Sequence, residues 1–131
     1  MLKQLLATFI LLASFSTTAN DVKPEVVYYG FDADIVTNYV TADRRAMGYL
    51  RVVVELMLED KAYLALTEHH EPLILDTIIS TFSQQPESTI KSLVGREEIR
   101  QMILQKIQQK MQDETGDIVV RDILFTKYLY Q

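Results

Sequence analysis

Tyr49-Leu50-Arg51-Val52-Val53-Val54-Glu55-Leu56-Met57-Leu58 is the stretch whose reading decides the fold. Leu50, Val52, Val54, Leu56 and Leu58 fall on one side of an extended chain, and Arg51, Glu55 and the following Glu59 fall on the other. That two-residue period marks a strand with one face buried. An aliphatic face of this length has to be covered, so the remaining chain must supply the cover.

Downstream, Ile74, Leu75, Ile78, Ile79 and Phe82 recur at spacings of three and four, the apolar stripe of a helix, with Pro72 suited to its first turn. Gln84-Gln85-Pro86 ends this helix, because a proline disfavours helical geometry in the residue before it. Pro86-Glu87-Ser88 then begins a short helix through Leu93. Gly95 separates that helix from a longer one, Arg96 to about Gln112, whose Ile99, Met102, Ile103, Ile107 and Met111 form the core-facing side. Gln101, Gln105, Gln108 and Gln112 occupy the opposite face, readable as solvated or as an oligomer contact, since uncharged amides are cheaper to bury than charges. Glu97 and Glu98 near the start, with Lys106 and Lys110 near the end, complement the helix dipole.

Working outward, Val26-Val27-Tyr28-Tyr29 and Ile35 to Val40 read as short strands before a polar turn at Thr41-Ala42-Asp43-Arg44-Arg45. At the other end, Asp113-Glu114-Thr115-Gly116-Asp117 makes a turn into a last strand, Ile118 to Tyr130. Simple alternation puts Ile123, Phe125 and Leu129 on one of its sides and Leu124, Tyr128 and Tyr130 on the other. A strand apolar on both faces is expected to be central or covered by a partner. Strands, then helices, then a strand give an α+β domain: a small, mainly antiparallel sheet with helices packed on one face.

With 131 residues, 48% hydrophobic and 24% charged, the chain has room for one self-sufficient core. Its net charge of −5 argues against binding nucleic acid through phosphate neutralisation. It has no cysteine, which excludes disulfides, thiolate metal sites, thiol nucleophiles and a lipidated N-terminal cysteine. Met1 to Ala19 carries Lys3, a largely apolar run from Leu5 to Phe15 and small residues at Thr17 and Ala19, the pattern of a secretory signal cleaved after Ala19. The alternative is a short membrane anchor, because Gln4 to Asn20 is uncharged and about long enough to span. Residues 20–25 then read as a linker and 26–131 as an exported, periplasmic domain.

Chemistry-bearing clusters are few. His69-His70-Glu71 holds the only histidines, but adjacent helical residues diverge by about 100°, so they suit the polar approach to a helix better than a metal site. Asp32 with Asp34, and Asp113, Glu114 and Asp117, lack the ligand spacing of a calcium loop and read as turn and solubility residues. Ser80, Ser83, Ser88 and Ser92 adjoin no nucleophile elbow, and Gly30, Gly48, Gly95 and Gly116 form no phosphate loop. No catalytic, cofactor-binding or metal-ligating residue is assigned.

Gly95-Arg96-Glu97-Glu98-Ile99-Arg100 opening an amphipathic helix, then Ile123-Leu124-Phe125-Thr126 near the C-terminal Gln131, resembles the periplasmic domain of the flagellar basal-body-associated FliL family. Tyr49-Leu50-Arg51-Val52 and Pro72-Leu73-Ile74-Leu75-Asp76-Thr77-Ile78-Ile79 match that family's strand and first main helix in the same order. The resemblance covers most of residues 26–131 and is most specific in the ending DILFTKYLYQ. It implies a stomatin-like (SPFH-like) domain without enzymatic activity, cofactor or small-molecule substrate. It further implies self-association, contact with flagellar stator and basal-body proteins, and a place at the inner membrane in support of motility. A periplasmic binding or scaffold module unrelated to motility is the alternative. An enzyme would require a concave pocket with converging carboxylates or serines.

Overall fold

The computed structural model describes residues 20–43 and 45–131; the segment read as an export signal or anchor, 1–19, lies outside them. Gly48–Leu58 forms the predicted long strand, β3, and Leu50, Val52, Val54, Leu56 and Leu58 are all buried. Two short strands, β1 (Val27–Gly30) and β2 (Ile35–Tyr39), pair antiparallel with one side of β3, β1 beside its C-terminal part and β2 beside its N-terminal part. β4 (Val120–Tyr130) runs antiparallel along the whole other side.

Four helices follow β3: α1 (Leu64–His69), α2 (Glu71–Ser83), α3 (Glu87–Ile90) and α4 (Leu93–Thr115). The stripes of α2 and α4 close on the aliphatic face of the sheet, joining Ile74, Ile78 and Phe82 with Ile99, Ile103, Ile107 and Met111 in one core with β3. The α+β reading with helices on one sheet face therefore holds. Fully burying one such side chain is worth about 1.5–3 kcal/mol. In α2, Thr77 and Thr81 are buried too, each hydroxyl donating to the carbonyl four residues back.

Several expectations need correction. Gly95 does not separate two helices. α4 begins at Leu93, where Ser92 caps it by accepting the Gly95 N–H at 2.8 Å, and a Cβ at residue 95 would lie 2.2 Å from the Thr89 carbonyl oxygen. Gly95 is thus the contact that lets α3 and α4 meet closely, rather than a break. The helix also runs on to Thr115 before Gly116 closes it in a left-handed conformation (φ 82°). The longer span places Glu97, Glu98, Lys106 and Lys110 outside the end turns, so they do not serve the dipole as expected. Met102 and Ile79 lie off the stripe and are exposed, whereas Leu104, not expected inside, is buried. α1 and the 3-10 turn before it, Lys61–Tyr63, went unread because their only buried residue, Thr67, leaves no apolar stripe.

The last strand differs most. β4 is an edge strand of the described sheet, pairing only with β3. Its ladder skips Thr126 between the pairs Val53–Lys127 and Val54–Phe125, and skips Arg121 between Met57–Asp122 and Leu58–Val120. Each extra residue is a β-bulge that shifts the alternation by one. Tyr128 and Tyr130 consequently stand opposite Val52 and Leu50, on the same core-side face as Ile123 and Phe125, while Leu129 joins the outer face. The Tyr128 ring packs 6.0 Å from that of Phe125 and 6.3 Å from that of Phe82.

Candidate interaction surface

The side of the sheet away from the helices has no cover among the described residues. In-register pairing lines up Val36, Arg51 and Leu129 in one row across β2, β3 and β4, with Tyr49 beside it. Val36 is 55%, Tyr49 49% and Leu129 56% exposed, high values for large apolar side chains, and Arg51 stands between Val36 and Leu129. Together with Leu50, Arg51 and Gln131 they line a shallow groove of about 430 Å³. At the next position along the face, Lys127 pairs with Asp34 at 2.9 Å. Exposed apolar side chains grouped around a charged one suit a protein contact.

Several side chains of the clusters read as possible chemistry are engaged structurally. His70 lies between α1 and α2, and its Nδ1 is 2.9 Å from the Leu66 carbonyl oxygen. The His69 and His70 rings meet edge to face, with centroids 5.0 Å apart. Glu71 accepts a hydrogen bond from the Tyr29 hydroxyl, tying β1 to α2; burial and this carboxylate push the phenol up to about 12. Nothing in the local sequence signals that pair, since 42 residues separate its members. Asp34 is held by Lys127, and Asp113 accepts from the Gln109 amide at 3.0 Å in the last turns of α4. Ser80 and Ser83 donate to helix carbonyls, and Ser92 is the α4 cap. No group of three metal-ligating side chains occurs among the described residues.

On α4, Gln101, Gln105 and Gln112 are exposed, but Gln108 turns to β4 and donates to the Val120 carbonyl at 2.9 Å. One turn pair earlier, Arg100 donates to the Ile123 carbonyl at 3.1 Å and to the Asp122 carboxylate at 2.5 Å, and it also grips Glu97 at 2.6 Å. The Arg100 guanidinium, with help from the Gln101 amide, holds the Glu97 carboxyl down to about 2. These contacts blunt half of an exposed sheet edge.

The described residues form a small α+β domain with a helix layer on one sheet face and exposed Val36, Tyr49 and Leu129 around Arg51 on the other. The sequence profile described as flagellar basal body-associated protein FliL matches residues 28–131, and the chain belongs to that family. It is also similar to "Flagellar protein FliL" of Aquifex aeolicus (strain VF5), with 30% identity over 109 residues, 82% of this chain and 64% of the relative. The chain thus spans just under two thirds of that relative's length. No helix among the described residues is long and apolar enough to cross a membrane.

Proposed function

We propose that this protein is a non-enzymatic accessory component of the flagellar basal body that works in the periplasm, self-associates and supports the motor stator. Family membership over residues 28–131 carries the reading. The bare outer sheet face supports it physically: Val36, Tyr49 and Leu129 offer an apolar surface to a neighbour without disturbing the core behind it. The reading includes export, by cleavage after Ala19 or by a short anchor retained at the inner membrane. A tethered domain would be concentrated beside its membrane partners, a released one would not.

Deleting the gene and tracking swimming and swarming, in free liquid and under viscous load, tests the proposal. Impaired motility that the intact gene restores is expected, and unaltered motility under both conditions contradicts it. The intact mass of the exported protein decides between cleavage after Ala19 and a retained anchor.

A further inference from the structure

The outer edge of β4 is sealed along one half and open along the other. Positions 96, 100, 104 and 108 of α4 form a row at four-residue spacing beside this strand. Gln108 covers the Val120 carbonyl, Arg100 covers the Ile123 carbonyl, and Leu104 is buried between them. The row changes character at Arg96. Among the described residues its guanidinium bonds no backbone group and instead lies 5.2 Å from the centroid of the Tyr128 ring.

Tyr49 and Gln131 exchange both backbone hydrogen bonds across β3 and β4, at 3.4 and 3.0 Å. In an antiparallel ladder such pairs alternate with pairs that exchange none. Leu129 and Lys127 therefore direct their N–H and C=O groups at β3, and Tyr128 and Tyr130 direct theirs outward. No backbone partner meets them among the described residues. Beside them runs a groove of about 200 Å³ lined by Ile90, Lys91, Leu93, Arg96 and the two tyrosines. Lys91 stands 5.6 Å from the Tyr130 ring centroid, with its charge shared with Glu87 at 2.6 Å. Arg96 makes no ion pair among the described residues.

An open edge with outward backbone groups takes an extended strand, and side chains on alternate positions of that strand are read by what flanks it. Here the flank is cationic, on a chain that is acidic overall. We propose that the Tyr128–Tyr130 edge of β4 receives an extended peptide segment of another protein as an added strand, with an acidic side chain of that segment paired to Arg96. The sealed half fixes where the added strand must stop.

The test uses the nitrogen-15-labelled full chain and two capped hexapeptides, one alternating valine and aspartate and one alternating valine and lysine. The aspartate peptide is expected to shift the Tyr128 and Tyr130 amides and slow their hydrogen exchange, and the lysine peptide to do neither. Arg96→Gln should weaken binding by about two- to fivefold, the worth of one exposed charge pair. Tyr130→Pro removes an outward N–H that β3 does not use and should weaken it by about tenfold. The proposal is overturned if neither peptide slows exchange at Tyr128 and Tyr130, if both bind equally, or if binding survives both substitutions. It is also overturned if those amides are protected without peptide in step with protein concentration, since a second copy would then occupy the edge. None of these outcomes depends on the motility phenotype, so this inference and the flagellar role fail separately.

Discussion

The Tyr39 ring fills the space that a side chain at Gly48 would need. A Cβ built at residue 48 would lie 2.3 Å from both Cε2 and Cζ of Tyr39, its partner in the β2–β3 ladder. Tyr39 is buried, and its hydroxyl donates to the backbone carbonyl of Gln131, so the ring cannot swing aside without releasing the end of the chain. Gly48→Ala is expected to destabilise the fold by about 1–3 kcal/mol, the usual cost of overpacking. Urea denaturation checks this, and in a Tyr39→Leu background the same substitution should cost measurably less, because the two positions share one space.

Core membership on α4 separates adjacent residues. Ile103 is fully buried, whereas Met102 is 37% exposed. Ile103→Ala should cost about 2–5 kcal/mol and Met102→Ala within about 0.5 kcal/mol of nothing. Equal losses in thermal or urea denaturation would contradict the packing described.

Arg100 and Gln108 guard the carbonyls of Ile123 and Val120. Removing both, as Arg100→Ala with Gln108→Ala, should cost about 1–3 kcal/mol and lengthen the exposed edge. Sedimentation should then show concentration-dependent association beyond that of the unaltered chain. Arg100→Lys should rescue only in part, since a single ammonium cannot fork between Glu97, Asp122 and a carbonyl.

Glu97 links stability to acid. Its carboxyl is held at about 2, below the ordinary 4.5, by hydrogen bonds from Arg100 and then Gln101. A depressed carboxyl favours the fold above 4.5 and loses that contribution as pH falls toward about 2. Because the side chain is 57% exposed, solvent keeps the contribution small. Carbon-detected titration of Glu97 should give a midpoint near 2, and Glu97→Gln should flatten part of the stability loss over that acid window.

The parts of the fold legible beforehand are those where burial itself writes a period: the alternation of β3 and the stripes of α2 and α4. The misread parts are those settled by contacts at a distance. Gly95 resembles a breaker until the Thr89 carbonyl is placed against it, and Ser92 supplies a cap that extends α4 upstream. In β4, two bulges interrupt the period, so counting by twos assigned Tyr128, Leu129 and Tyr130 to the wrong faces. The outer sheet face was legible only as a fold consequence: helices on one face leave the other bare among the described residues. Its row Val36, Arg51 and Leu129 comes from three strands whose mutual register no local pattern encodes.

The central claim is that the outer sheet face serves the flagellar motor by contact. The direct measurement is swimming speed under viscous load in a deletion strain carrying the Val36→Asp, Leu129→Asp double variant, alongside its purified thermal midpoint. Both positions are exposed, so the midpoint should stay close to that of the unaltered protein. The account predicts a folded protein that fails to restore motility under load; full restoration by that folded variant would contradict it.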